Sequence, residues 1–241
     1  MSTQTKKKFA INPYILVILS FLLVIFIGSF FLAMPWTHNT YIPGSDPQVL
    51  VDAGDYVDAL LTAVSATCVT GVSTYKEGVF HTLNFYGQLV TIILIQIGGL
   101  GFITILTFIV TIFKQRLQFK DRYLISQMVS STSFTDVVKF VRKIVLISFI
   151  FEFIGFLLLL PAFLIMYKGE VGTAIWNSIY LSISSFNNAG FDLFEGVTSL
   201  IRGETGLLSY LNEPMYLYFL TVVALLVVSG GISFLVITDI F

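Results

Sequence analysis

Two short stretches have the composition to handle a cation without any catalytic side chain. They are Thr67–Cys68–Val69–Thr70–Gly71–Val72 and, more than a hundred residues later, Phe186–Asn187–Asn188–Ala189–Gly190–Phe191. Each follows an apolar segment of about a dozen residues, too short for a membrane crossing and typical of a re-entrant one. Main-chain carbonyls of such a stretch can replace the hydration shell of an ion. Glycine suits the task because inward-aimed carbonyls demand dihedrals that a side chain disfavours. A short helix entering from outside also points its partially negative C-terminal end at the bilayer centre, which favours a cation there.

Other chemistries find little support. The single cysteine, Cys68, permits neither an intrachain disulfide nor a multi-cysteine zinc site, and it reads as a packing residue. His38 and His81 lie outside the apolar runs without a neighbouring ligand pattern. No phosphate-binding glycine loop, Ser/His/Asp set or basic aromatic surface for nucleic acid is present, so an enzyme is not expected. Glu152, in "ISFIFEFIGF", is different: a carboxyl near the middle of a span is costly and is by default a functional residue. It reads either as a coupling group or as an interhelical hydrogen-bonding contact, and the sequence names no partner for it.

The elements that must position these stretches belong to a membrane protein. Of 241 residues 56% are hydrophobic and 11% charged, with mean hydropathy +0.90, whereas soluble domains carry roughly 25% charged residues. Runs over Pro13–Met34, Leu83–Phe113, Ile144–Tyr167 and Pro214–Thr238 are each long enough to cross. The first is too long for a signal-peptide core and reads as a retained helix. Two shorter runs, roughly Gly54–Ala66 and Val171–Phe186, read as re-entrant half-helices. Ten of the 13 basic residues precede the first span or lie between the second and third, which makes that side and the N-terminus cytoplasmic. Acidic residues gather on the opposite side, where they would concentrate cations. Asp239 falls at the cytoplasmic end of the last run.

The expected fold is therefore an all-α integral membrane protein of two membrane–pore-loop–membrane repeats, with four spanning helices and two re-entrant pore helices. The divisions are 1–113, a basic cytoplasmic connector at 114–143, and 144–241. "IQIGGLGFITI" (Ile95–Ile105) matches "VVSGGISFLVI" (Val227–Ile237), aligning Gly98–Gly99 with Gly230–Gly231 and Phe102 with Phe234. From Gly71 to Gly98 is 27 positions and from Gly190 to Gly230 is 40, the excess fitting an extracellular insertion at 195–214. The glycine pairs suit close helix packing and could also permit a bend in a pore-lining helix. Asn187 and Asn188 could reach an ion or brace the loop.

"SATCVTGV", "QIGGLGF", "SSFNNAGF" and "GGISF" followed by "TD" resemble the Ktr/Trk/HKT superfamily of potassium transporters, most closely the KtrB-type membrane subunit. The resemblance covers essentially the whole chain. It implies a pore of four repeats with pseudo-fourfold symmetry, of which this chain would supply half. It further implies filter strands at Val69, Thr70, Gly71 and Val72 and at Asn188, Ala189, Gly190 and Phe191, coordinating K⁺ by backbone carbonyls without another cofactor. Gly98, Gly99, Gly230 and Gly231 become pore-lining or gating candidates. Glycine at position 71 implies potassium preference, since serine there accompanies sodium preference in the family. Implied partners are the remaining repeats from a longer chain or a second copy, a homodimeric partner subunit, and a cytosolic nucleotide-binding regulator on the 114–143 loop. The expected location is the cell membrane. The gating loop of the family's third repeat is not among these residues. Alternatives are a non-conducting membrane scaffold, or a solute- or proton-coupled secondary transporter using Glu152.

Overall fold

The computed structural model describes residues 13–40, 55–75, 79, 82–101, 134–193 and 211–232. Most of the connector, the 195–210 insertion, Phe102, Phe234 and Asp239 lie outside the described residues.

Six α-helices build the described chain: α1 (Pro13–Leu32), α2 (Tyr56–Cys68), α3 (Phe85–Gly99), α4 (Phe134–Met166), α5 (Val171–Phe186) and α6 (Glu213–Gly231), with a 3-10 turn at Pro35–Thr37. Helix starts follow local chemistry. Asp55 and Asp58 form a capping box on α2, the Asp55 amide donating to Asp58 Oδ2 at 2.9 Å. Asn84 caps α3 by accepting from the Tyr86 and Gly87 amides, while its own side-chain amide donates to the Trp36 and His38 carbonyls of the preceding turn. Asn212 accepts from the Met215 amide at the start of α6.

The helices group as two triplets, α1–α2–α3 and α4–α5–α6, and each has its own apolar core. The first is built on Leu32, Ala59, Ala63, Leu83 and Ile95, and the second on Leu159, Phe163, Met166, Phe219 and Leu226. Small residues on α2 let it sit between α1 and α3. The triplets join where α3 meets α5: the Trp176 indole donates to Gln88 Oε1 at 2.6 Å, Thr91 and Tyr180 share a hydroxyl bond of 3.0 Å, and the Phe85 and Trp176 rings pack at 4.6 Å.

The outer faces are apolar. Ile18, Leu19, Leu23 and Phe26 on α1, Leu146, Phe153 and Leu157 on α4, and Leu217, Leu225 and Val228 on α6 are all exposed. Water would not tolerate apolar surface on that scale, and lipid would. Val141–Met166 and Glu213–Gly231 are long and apolar enough to cross a bilayer, and the 20 residues of α1 extend about 30 Å. This is an all-α membrane protein.

One boundary differs from the sequence reading. Helix α4 begins at Phe134, ten residues before the expected span, so Lys139, Arg142 and Lys143 lie on its first turns. Helix α3 runs to Gly99, and Gly101 just beyond it adopts a left-handed φ of 74°; residues 102–113 of the 83–113 run lie outside the described residues.

Candidate functional site

The stretches after α2 and α5 have the same local trace. Val69 and Asn188 are both left-handed at φ 58°, and Gly71 and Gly190 both have φ 73°. The amides of Thr70 and Ala189 both reach back five residues, to the carbonyls of Ser65 (2.9 Å) and Ser184 (2.8 Å). Every one of these pairs is 119 positions apart. A left-handed residue at a helix end releases the chain from the helix while still satisfying its last carbonyls. At Val69 this conformation costs about 1–2 kcal/mol, so the surroundings must hold it.

They hold it from both sides. Ser65 Oγ accepts the Val72 amide at 2.7 Å and bonds the Thr70 hydroxyl at 3.0 Å, so one serine ties both ends of the 70–72 segment to α2. Behind each helix end runs a glycine. A Cβ on Gly98 would collide with the Thr67 carbonyl oxygen, and one on Gly230 with that of Phe186, again equivalent positions. Gly99 lies against the Asn187 side chain, whereas among the described residues Gly231 meets only the Asn188 side-chain amide, at 4.0 Å. Helices α3 and α6 both end at the second glycine of the pair.

The two segments meet at their glycines. A Cβ on Gly71 would lie 2.7 Å from the Ala189 carbonyl oxygen and 3.1 Å from the Gly190 Cα, and one on Gly190 would lie 3.3 Å from the Gly71 Cα. The C-terminal ends of two short helices are thus directed to one place, and their partial negative charges add there. The segments differ in cover. Ala189 and Phe191 are buried in the first triplet's core, while Thr70 and Val72 are exposed, Val72 at 61%. Cys68, read from sequence as a packing residue, is also exposed among the described residues. Beyond the first segment, burial pushes the Tyr75 hydroxyl up to about 12, with the Asp58 carboxylate adding to the rise, so it stays neutral at physiological pH.

Both asparagine amides are taken up by protein groups. Asn187 Nδ2 faces the Ile183 carbonyl (2.9 Å), Glu152 Oε1 (3.1 Å) and Gln96 Oε1 (3.3 Å). With its amide oriented by its neighbours, Asn188 donates to the Val227 carbonyl at 3.2 Å and accepts from the Gly231 amide at 3.3 Å. Glu152, buried on α4, also accepts from Gln96 Nε2 at 2.8 Å. Its partners therefore come from α3 and from the end of α5. Among the described residues no group of three or more His, Cys, Asp or Glu side chains could hold a metal ion.

The sequence reading missed Ser65 and Gln96. Ser65 had a signal, since Ser184 occupies the matching place. Gln96 had one too, as an amide inside an apolar run that must find a partner in a bilayer.

Several known proteins are similar to this chain. It is 30% identical over 240 residues to the potassium/sodium uptake protein NtpJ of Enterococcus hirae, covering 100% of this chain and 47% of that protein. It is 33% identical over 228 residues to the Ktr system potassium uptake protein B of Bacillus subtilis, covering 95% and 45%. With the Vibrio alginolyticus protein of the same name it shares 32% over 197 residues, covering 81% and 39%. The chain thus spans less than half the length of these relatives. Residues 6–241 match the family described as TrkH, cation transport protein, and the chain belongs to that family of membrane cation transporters.

Proposed function

We propose that this chain forms part of a potassium uptake pore, with Val69–Val72 and Asn188–Phe191 as two filter segments presenting backbone carbonyls to the ion. The observation that carries this reading is the pair of matched left-handed traces meeting at Gly71 and Gly190, each at the C-terminal end of a short helix. The reading divides the chain into two membrane–pore-loop–membrane repeats, α1–α2–α3 and α4–α5–α6, with α2 and α5 as re-entrant pore helices. The named relatives are potassium or potassium/sodium uptake proteins, which favours transport over a scaffold. The membrane potential drives inward movement, at about 2.3 kcal/mol per charge per 100 mV.

Two segments cannot encircle an ion, and the exposed flank at Thr70 and Val72 is where further repeats would pack. The Ktr system names of two relatives point to a multi-component assembly. On this reading a regulatory subunit docks on the cytoplasmic side, and sodium sensitivity follows from filter geometry.

The test is rubidium and sodium uptake into proteoliposomes by the longest natural chain containing these residues, compared with Gly71→Ser. A side chain at φ 73° adds about 1–2 kcal/mol of strain and crowds the Ala189 carbonyl. Rubidium-selective flux that loses its preference in a folded variant is expected. Flux indifferent to Gly71, or none from the unaltered chain, would refute the filter reading.

A further inference from the structure

Glu152 is buried at 5% exposure in an apolar helix, where a carboxyl is expensive. Its Oε1 accepts from two amide groups that belong to different elements: Gln96 Nε2 of α3 at 2.8 Å and Asn187 Nδ2 at the end of α5 at 3.1 Å. Its main-chain carbonyl accepts from Ser182 Oγ at 2.6 Å, and its neighbour Phe151 stacks on Phe186 at 5.6 Å. One residue of α4 therefore joins the first triplet, the second triplet and the last turn of α5.

Asn187 is the residue at which the chain leaves α5; the next, Asn188, is left-handed. The Asn187 amide has little freedom. Its nitrogen is held by Glu152, Gln96 and the Ile183 carbonyl, and its oxygen side abuts Gly99. Fixing that amide fixes the direction of the following segment. Among the described residues the first segment has no such clamp: the position matching Asn187 is Cys68, and α1 contains no acidic residue. There Ser65 does the holding, from within α2.

We infer that Glu152 is a positioning residue for the second filter segment, holding Asn187 so that Asn188–Phe191 keeps the placement on which ion discrimination depends. This rests on the filter reading above. The role needs an acceptor at Oε1 rather than a coupling group that moves with solute. Oε2 has no hydrogen-bond partner among the described residues, and the side chain borders a groove of about 310 Å³ lined by Phe149, Phe153, Phe156, Ile179 and Ile183. Glutamine can therefore replace glutamate with its oxygen kept on the two amides.

The experiment measures the rubidium-to-sodium flux ratio in proteoliposomes for the longest natural chain and for Glu152→Gln, Glu152→Leu, Asn187→Ala and the double variant Glu152→Leu/Asn187→Ala. Gly71→Ser is run in parallel. Glu152→Gln should keep the ratio within about twofold, because both hydrogen bonds survive. Glu152→Leu and Asn187→Ala should each lower it at least about fivefold, the lower end of what losing a buried hydrogen-bond partner is worth. The double variant should be no worse than the worse single one, as expected of two residues acting through one contact. A folded Glu152→Leu with the unaltered ratio, multiplying effects in the double variant, or loss of rubidium preference in Glu152→Gln would overturn the assignment. If Glu152→Leu does not assemble, Asn187→Ala decides alone, and an unaltered ratio there overturns it as well. A response to Gly71→Ser without one to Glu152→Leu would refute only the clamp; no response to Gly71→Ser would refute the filter beneath it.

Discussion

A methyl group on Gly98 or Gly230 would occupy space already held by a backbone carbonyl oxygen, that of Thr67 in one triplet and of Phe186 in the other. Helix propensity and packing then make opposite predictions for Gly→Ala. Propensity favours alanine by up to about 1 kcal/mol in a helix interior. Overpacking costs about 1–3 kcal/mol, and here the upper part of that range applies, because a backbone atom in the last turn of a short helix cannot rotate aside. The net expectation for each variant is a loss of about 1–2 kcal/mol. The structure contains its own controls. Among the described residues no atom outside its own helix backbone lies within 4 Å of a Cβ on Gly172 in α5, and Gly231, the immediate neighbour of Gly230, meets only the Asn188 side-chain amide at 4.0 Å. Gly172→Ala and Gly231→Ala should be neutral or slightly stabilising. Thermal unfolding of the purified protein in detergent, followed by loss of the monodisperse peak, ranks the four variants. The close approach of α3 and α6 to the ends of α2 and α5 is refuted if Gly98→Ala and Gly230→Ala melt with or above the unaltered protein.

Ser65→Ala removes the acceptor of the Val72 amide and the partner of the Thr70 hydroxyl, at a cost of about 1–2 kcal/mol for two part-buried bonds. Its expected signature is a lower rubidium-to-sodium flux ratio in a protein that still folds. Asn84→Ala should lower the melting temperature, losing about 1 kcal/mol of cap energy together with the bonds to the Trp36 and His38 carbonyls, while leaving that ratio unchanged. Thr91→Val breaks the Tyr180 hydroxyl bond between the triplets and the bond to the Gln88 carbonyl; a loss of about 1 kcal/mol or more should show in melting and shrink in a Tyr180→Phe background.

The membrane class and the position of the two glycine-centred stretches were legible in the sequence, because each depends on composition and on distances along the chain. A bilayer needs about 20 apolar residues per crossing whatever the rest of the fold does. The pairing of Gly98–Gly99 with Gly230–Gly231 was legible for the same reason, being a local match. Helix ends were less so. The end of α3 at Gly99 has nothing but glycine to mark it, and a glycine is compatible with a helix until its φ is known.

What only the tertiary structure decided is which residues share a neighbour. Glu152 was visible as an unusual acid, but Gln96 and Asn187 lie 56 and 35 positions away and come from other helices. The glycine pairs looked alike in sequence, yet among the described residues Gly99 abuts Asn187 while Gly231 has room, because the second triplet covers the first at that point. Periodicity and propensity act over a few residues, whereas a buried polar group is satisfied by whatever the fold brings within about 3 Å. The sequence by itself therefore determined the class of solvent and the two places where the backbone must leave the helix; packing between α3, α4 and α5 decided what holds the second of them.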